Sequence, residues 1–424
     1  MAPANRMPVT NWAGSHTYRA RVIHAPATRE QVQEIVAAAP HIRVLGSRHS
    51  FTDIADSTEL VTLEHLPPEV VVDRAAMTVT CSGGLRYGDL AIELAREGLA
   101  LANLASLPHI AVAGAVSTAT HGSGDRNGNL ATAVAALEIV TSDGTAVLAA
   151  RGDPDFDGLV VGLGAVGALT RVTLDVEPEY QVRQRVFEGL EWHDLFEHFG
   201  AITSSGYSVS VFTRWGENVD QVWIKTRADS AGHASVPDAG LFGAVASTQQ
   251  RHPILGLDPV NCTPQLGVPG PWADRLPHFR MGFTPSAGEE LQSEYIVHRS
   301  DAVAAIEAVR GVAAAVRPVL QVSEIRTIAA DALWMSPQYG RDTVALHFTW
   351  SPEPAAVRRA LAEVERVLAP FGARPHWGKL FLAGAGEIAA LYERHGDFVA
   401  LLDRIDPRGE FRNAWLRRHV LGPD

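Results

Sequence analysis

In the first 180 residues, short segments with the hydrophobic pattern of helices follow short segments with the pattern of strands. Thr28 and Gln31 have the spacing of a capping box, and the apolar residues behind them lie at helical spacing, which predicts a helix. Short apolar runs occur at 43–45 and 78–81, and the amphipathic segment 88–97 ends at Gly98. These patterns predict strands at 43–45 and 78–81, a helix over 88–97 and a hairpin over 137–148.

From residue 181 the pattern changes to longer alternating stretches. Strands are predicted over 207–215, 221–225, 319–328 and 343–350, and helices over 301–316 and 354–368. The segment 229–275 is rich in Gly, Pro and Ala, and long surface loops are expected there. The chain is therefore predicted to be α+β, with an N-terminal domain, a β-rich middle domain and a C-terminal piece from residue 376.

Composition and charge narrow the class of protein. Hydrophobic residues make up 46% and charged residues 20%, as in ordinary globular proteins. The net charge of −12 argues against nucleic acid or an anionic membrane as a partner. No apolar run is long enough for a transmembrane helix or a signal peptide. Cys81 and Cys262 lie far apart, which excludes a disulfide framework and a Cys-rich zinc site and fits a reducing cytoplasm. A cytoplasmic location, a monomeric state and the absence of a metal ion are expected.

Two loops have the chemistry to hold a large ligand that carries phosphate. The first, 46–51, follows a predicted strand, and its Gly and Ser residues offer backbone N–H groups to a pyrophosphate. The second, 103–124, is almost uncharged and crowded with small residues, so backbone can approach a planar ring closely. From the residues alone, an ordinary turn with an exposed His49 and a tightly packed crossover remain open as alternatives.

The string at 162–167, GLGAVG, matches the dinucleotide fingerprint only as letters. That fingerprint needs a helix directly after the glycines. Here the residues that follow, 169–174, alternate like a strand and leave no room for a helix. A nicotinamide site of the Rossmann type is therefore not expected at this position.

Polar side chains interrupt the apolar rows of two predicted strands. In 343–350, His347 and Thr349 share the face opposite the core residues. Glu324 and Arg326 lie two residues apart on one face of the preceding strand. Such a pair is either a structural ion pair or a means of binding a polar ligand, and the sequence leaves both open.

Lys379 follows two aromatic residues in the segment RPHWGK. A lysine desolvated by aromatic neighbours has a lowered pKa and can accept or pass on a proton. The alternative is a surface lysine after a turn.

Six segments in this order resemble the alditol (xylitol/sorbitol) oxidases, members of the vanillyl-alcohol-oxidase type of flavoproteins. They are GSRHSF, NLASLPHIAVAGAVSTATHGSG, GLGAVGALTRVTL, SEIRT, VALHFTW and RPHWGK. The resemblance runs from Asn11 to Asn413, and ASLPHI together with HWGK is its most specific part.

The resemblance implies a two-domain FAD-linked oxidase fold. An FAD-binding domain would comprise residues 1–180, a substrate domain with a large antiparallel sheet residues 181–375, and the segment 376–424 would return to their interface. It also implies that His49 carries an 8α-histidyl bond to FAD. The remaining FAD contacts that it implies are Val44, Leu45, Gly46, Ser47, Arg48, Ser50, Ser106, Gly114, Thr118, Ala119, Thr120, His121, Gly122, Ala168 and His376.

The same resemblance implies the activity. The terminal hydroxyl of a polyol would be oxidised to an aldose, and oxygen would be reduced to hydrogen peroxide. The catalytic residues would be Lys379 and His347. The substrate would bind to Ser106, Glu324, Arg326, Thr349 and Lys379.

Two positions depart from the family pattern. Arg48 takes the place of the second glycine in the G-x-G-H-S loop, which puts the loop conformation in doubt. Ala111 replaces a serine after HI in the ASLPHI segment, so one hydrogen bond to the flavin is missing or supplied otherwise. The competing interpretations are an aldonolactone oxidase or dehydrogenase of the same superfamily, a dehydrogenase of alditols, and a non-catalytic flavin- or carbohydrate-binding protein.

Overall fold

A large antiparallel sheet dominates the computed structural model, which describes residues 9–228, 240–283 and 289–422. Within those ranges its strands, in spatial order, are Gly240–Leu241, Ala244–Ala246, Gln181–Glu188, Gln221–Arg227, Ser208–Thr213, Leu320–Ile328, Thr343–Trp350, Leu291–His298 and Arg374–Pro375. A short strand, Gly270–Pro271, pairs with Gln181–Glu188. The predicted antiparallel sheet of the second half is thereby confirmed.

The N-terminal part contains smaller sheets. A parallel sheet has the order Val22–His24, Glu59–Thr62, Ile42–Leu45. An antiparallel sheet has the order Val70–Asp73, Thr78–Ser82, Ala168–Asp175, Val134–Val140, Ala146–Ala150, and Leu99–Ala100 pairs with Glu177–Pro178. The predicted hairpin is confirmed, with Gly144 at φ +81° in its turn.

Helices cover the sheets, and most of those predicted are confirmed. In the described residues they are Arg29–Ala38, Tyr87–Arg96, Val112–Ser117, Phe156–Val160, Trp192–Glu197, Phe199–Thr203, Ala302–Gly311, Ala313–Val316, Pro354–Leu368, Ala385–Leu391, His395–Ile405 and Ala414–Leu416. Thr28 caps the first of them, since its hydroxyl accepts the Gln31 N–H at 3.3 Å. No helix in the described ranges has both the length and the apolar character needed to cross a membrane.

Two predictions were partly wrong. The helix predicted over 301–316 is split, because Val312 leaves helical geometry directly after Gly311. The segment 229–275 is more than surface loops: Cys262 and Trp272 are fully buried, and short strands join the large sheet. Residues 229–239 of that segment lie outside the described residues.

The glycine-rich segment 162–167 runs directly into the strand Ala168–Asp175, as predicted, without a dinucleotide helix. Its carbonyls serve a different purpose. The buried Arg43 guanidinium donates to the carbonyl oxygens of Leu163 at 2.6 Å and Gly164 at 2.8 Å, and also to Phe411 at 2.9 Å. Burial lowers the pKa of Arg43 to about 9. This side chain joins the C-terminal segment to the strand that leads into the 46–50 loop.

Candidate active site

A deep cavity runs from the loop after the strand Ile42–Leu45 to Lys379. It encloses about 1920 Å³ with its open mouth included. The predicted site residues that line it are Val44, Leu45, Gly46, Ser47, Arg48, His49, Ser50, Ser106, Gly114, Thr118, Thr120, His121, Glu324, Arg326, His347, Thr349, His376 and Lys379. The sequence segments that were singled out separately therefore meet in one place.

Three predicted FAD contacts lie outside this lining. Ala119 and Ala168 are fully buried. A Cβ atom on Gly122 would lie 2.4 Å from the Asn103 side-chain oxygen. The glycine at 122 is therefore explained by protein packing.

The 46–50 loop holds His49 in a fixed orientation. The imidazole stacks between Trp12, at 5.4 Å between ring centroids, and His109, at 6.3 Å. Its Nδ1 donates to the Ser47 carbonyl at 3.0 Å. Burial lowers the pKa of His49 to about 4, and His109 acts in the same direction. At neutral pH the ring is therefore uncharged and keeps the lone pair of one nitrogen.

Arg48 adopts the left-handed backbone that a glycine would supply at this position, with φ +64°. An L-residue in this conformation costs about 1–2 kcal/mol. Glycine avoids that cost but loses ~0.5–1 kcal/mol of the gain, because its unfolded chain has more conformational freedom. We expect Arg48→Gly to raise the free energy of unfolding by about 0.5–1 kcal/mol, measured by guanidinium denaturation. Arg48→Ala keeps the left-handed requirement, so equal gains for Gly and Ala would contradict this account.

The small-residue segment leaves open backbone beside the cavity, which fits a bound flavin. A Cβ atom on Gly114 would meet no protein atom within 4 Å, and one on Gly46 would meet only Ala111 at 3.7 Å. The Ala111 N–H donates to the Ser47 hydroxyl at 2.9 Å, which ties this segment to the 46–50 loop. A planar ligand can therefore lie against glycine backbone on this wall.

Lys379 and Arg326 meet at Glu294, a residue that the sequence reasoning missed. Lys379 Nζ donates to Glu294 Oε2 at 2.6 Å, and Arg326 Nη2 donates to Oε1 at 2.7 Å. His121 Nε2 lies 3.3 Å from the same Oε1. The Glu294 side chain is fully buried, so these partners replace the water that a carboxylate needs.

The charges in this part of the cavity shift the pKa values of the site. Burial raises the pKa of Glu294, but Lys379, His121 and Arg326 outweigh it and hold the pKa well below its ordinary value. Burial lowers the pKa of Lys379, and Glu294 opposes this shift. Burial and the Lys379 cation lower the pKa of His347 to about 3, so its imidazole is neutral.

Lys379 is also joined to the next polar residues. Its Nζ donates to His347 Nδ1 at 2.9 Å, and His347 Nε2 lies 3.1 Å from the Thr349 hydroxyl. A proton on Lys379 therefore has a neutral acceptor within hydrogen-bond distance.

The predicted substrate residues form a continuous polar wall. Arg326 Nη1 donates to the Ser106 hydroxyl at 3.2 Å, and its Nε lies 3.6 Å from Glu324 Oε1. Glu324 in turn accepts a hydrogen bond from His278 at 2.8 Å. Glu324 and Arg326 are thus not paired only with each other, because each has a nearer partner, His278 at 2.8 Å and Glu294 at 2.7 Å.

Alternation along the chain could have indicated Glu294. In the strand Leu291–His298, Gln292 and Glu294 are polar residues two apart, and both line the cavity. Period-two polar positions in an apolar strand had singled out Glu324 in the same way. His278 had no comparable signal, because it lies in an irregular segment.

One group of potential metal ligands occurs in the described residues: His121, Glu294 and His376 have ligand atoms within 4.8 Å of one another. Both Glu294 oxygens already pair with the cations Lys379 and Arg326. A divalent metal would face these two positive charges, so the geometry disfavours it.

Comparisons with known proteins agree with this architecture. Residues 20–149 match a family model described as FAD binding domain, and residues 289–419 match one described as D-arabinono-1,4-lactone oxidase. An alditol oxidase of Streptomyces sp. is 47% identical over 96% of this chain and 98% of its own length. An L-gulono-1,4-lactone dehydrogenase of Mycobacterium tuberculosis is 28% identical over 98% and 99%. The crystal structure of cholesterol oxidase from Brevibacterium sterolicum superposes with a TM-score of 0.76 at 17% identity, covering 97% of this chain and 96% of that one.

The fold, the cavity beside the 46–50 loop and the FAD-domain match define an FAD-dependent oxidoreductase with the FAD-linked oxidase fold. Within that class, the chain belongs to the alditol oxidase family of the vanillyl-alcohol-oxidase type of flavoproteins. The predicted family and fold are thereby confirmed.

Proposed function

We propose that this protein oxidises the terminal hydroxyl of alditols such as xylitol and sorbitol to the aldose, with oxygen as the electron acceptor. The alcohol loses two electrons and two protons, and oxygen takes them up as hydrogen peroxide. The observation that carries the proposal is the polar wall of the cavity, where Ser106, Glu324, Arg326, Thr349 and Lys379 come together. The Streptomyces relative named alditol oxidase supports the substrate class.

The charges of this wall suit a neutral substrate with many hydroxyls. Two cations, Lys379 and Arg326, face two carboxylates, Glu294 and Glu324, so the wall offers donors and acceptors in balance. Each buried polar group left without a partner costs about 1–3 kcal/mol, which favours a ligand with hydroxyls along its length.

Lys379 is proposed to receive the proton of the reacting hydroxyl. The neutral amine form, which burial favours, can take up that proton. His347 Nδ1, 2.9 Å from Lys379 Nζ, accepts a hydrogen bond from the amine, and Glu294 holds the amine in place. FAD, when bound, supplies the acceptor for the hydride that leaves the substrate carbon. Ser106, Glu324, Arg326 and Thr349 would orient the remaining hydroxyls.

FAD is proposed to be bound covalently through His49, as an 8α-histidyl derivative. A neutral imidazole has the lone pair that such a bond requires, and the low pKa of His49 together with its stacking on Trp12 and His109 supports this role. The 44–50 segment would hold the pyrophosphate, and Ser106, Gly114, Thr118, Thr120, His121 and His376 would lie around the ring system.

We expect His49→Ala to release the flavin from the polypeptide. After acid denaturation, the wild-type pellet is expected to be yellow, whereas the variant's yellow colour stays in the supernatant. His193→Ala is the matched control, since His193 is exposed on the surface. A yellow pellet from His49→Ala would disprove the proposed attachment residue.

The second candidate activity is the oxidation of an aldonolactone. The M. tuberculosis relative and the D-arabinono-1,4-lactone oxidase model favour it. Initial rates of peroxide formation with xylitol, sorbitol and L-gulono-1,4-lactone separate the two. Alditol oxidation predicts the highest kcat/KM with a polyol, and a higher value with the lactone would overturn the proposal.

The domain boundaries remain a prediction: an FAD domain of residues 1–180, a substrate domain of 181–375, and a returning segment of 376–424. The large sheet supports it, because its strands fall between Gln181 and Pro375. A monomeric state and a cytoplasmic location likewise stay predictions.

A further inference from the structure

The sequence contains two lysines, Lys225 and Lys379, and every other basic side chain besides histidine is arginine. Lys379 belongs to the proposed catalytic site. Lys225 lies on the strand Gln221–Arg227 and is 1% exposed, so it is not a surface charge. An amine kept in the interior of a chain that otherwise uses arginine calls for an explanation, because burying it is costly.

Lys225 is joined to the proposed substrate site through His278. Its Nζ donates to the Leu276 carbonyl and to His278 Nδ1, the latter at 3.1 Å. His278 Nε2 in turn donates to Glu324 Oε1 at 2.8 Å. His278 and Glu324 are both buried and both line the cavity.

The chemistry of these contacts fixes the state of the imidazole. Because His278 Nδ1 accepts a hydrogen bond from an amine, the proton of the neutral ring is on Nε2, where it faces Glu324. Burial lowers the pKa of Lys225 to about 7, yet a neutral amine still has two N–H groups for its two acceptors. The arrangement therefore persists in either protonation state of Lys225.

The same segment also restrains Ser106, another residue of the polar wall. The His278 backbone N–H donates to the Ser106 carbonyl at 3.1 Å. The ring is confined by the edges of Phe212 and Trp223, with centroids at 5.4 and 5.2 Å. His278 thus connects two of the proposed substrate contacts, Ser106 and Glu324, while its ring cannot rotate freely.

We propose that His278, held by Lys225, is a positioning residue that fixes one oxygen of Glu324 and so leaves the other oxygen aimed at a substrate hydroxyl. This role rests on the proposed function, since it concerns the affinity for a polyol. It assigns Lys225 and His278 to recognition of the substrate and separates them from the proton transfer at Lys379.

Kinetics of His278 variants test the positioning role. His278→Leu removes the donor to Glu324, and KM for xylitol is expected to rise about 10-fold, the equivalent of one hydrogen bond to a charged group, with kcat changed less than about 3-fold. His278→Gln keeps an N–H donor and is expected to restore most of the affinity. Equal losses in Leu and Gln variants, or a loss confined to kcat, would overturn the proposal.

A double variant tests whether Lys225 acts through His278. Lys225→Met is expected to raise KM several-fold in the wild-type background and to leave KM unchanged when His278 is already leucine. Methionine has a similar length without the cost of a buried amine, so the variant should fold, and its melting temperature verifies this. Additive effects of the two substitutions would show that Lys225 does not act through His278.

Lysine labelling gives a measurement that does not depend on activity. With ¹³C- or ¹⁵N-lysine the protein has two side-chain signals, which Lys225→Met and Lys379→Met assign. His278→Leu is expected to move the Lys225 signal and leave the Lys379 signal in place. An unmoved Lys225 signal would disprove the contact. If His278→Leu moves the Lys225 signal but the wild-type protein oxidises no polyol, only the proposed function is contradicted.

Discussion

Replacing Lys379 by methionine is expected to lower kcat for xylitol by about 10³-fold, within the range of general acid–base catalysis. The amine lies between Glu294 Oε2 and His347 Nδ1, so its removal takes away the group that is proposed to receive the hydroxyl proton. His49, the proposed attachment residue, is not changed. Acid-precipitated variant protein should therefore remain as yellow as the wild type while its rate of peroxide formation falls.

Lys379→Arg separates proton transfer from charge. Arginine keeps a cation beside Glu294 but does not give up its proton at accessible pH. If Lys379 accepts the hydroxyl proton, the arginine variant should be nearly as slow as the methionine variant. Substantial activity in Lys379→Arg would mean that the positive charge alone is required, and the proposed uptake of the hydroxyl proton by Lys379 would be wrong.

The sequence indicated several polar residues of the candidate site, but it did not indicate which of them contact one another. The polar face of 343–350 pointed to His347 and Thr349, because alternation along a strand is a local property. Glu294 lies on a strand whose partner, Thr343–Trp350, is about fifty residues further along the chain, and this pairing brings Glu294 opposite His347. The pairing of strands that lie far apart in the sequence cannot be predicted from the local alternation of residues.

Arg48 and Gly122 show the same limit for backbone positions. Arg48 departs from the glycine of the family pattern, yet it takes up the left-handed conformation, and its carbonyl accepts the Trp12 N–H at 3.0 Å. Gly122 is an FAD contact only by the family resemblance, and that assignment stays a prediction. A Cβ atom there would lie 2.4 Å from both the Asn103 side-chain oxygen and the Leu104 carbonyl oxygen, so protein packing already requires a glycine.

Glu294→Gln is expected to lower kcat/KM for xylitol by about 10²-fold, because the hydrogen bonds from Lys379 and Arg326 would then be accepted by a neutral amide and no longer by a carboxylate. Glutamine has the same shape, so Lys379 and Arg326 keep neighbours but lose the carboxylate that neutralises them. The pKa of Lys379 should fall, since Glu294 is the main group that raises it against burial.

The lysine signals provide the direct measurement of that shift. Titration of labelled Glu294→Gln should show the Lys379 signal changing at lower pH than in the wild type. The pH below which the variant's kcat/KM declines should also be lower than in the wild type. Glu365→Gln is the matched control, because Glu365 is a half-buried carboxylate that accepts from Tyr295 at 2.8 Å and does not line the cavity. An unshifted Lys379 titration in Glu294→Gln would mean that the carboxylate positions the amine without controlling its charge, and that burial alone determines when Lys379 can take up a proton.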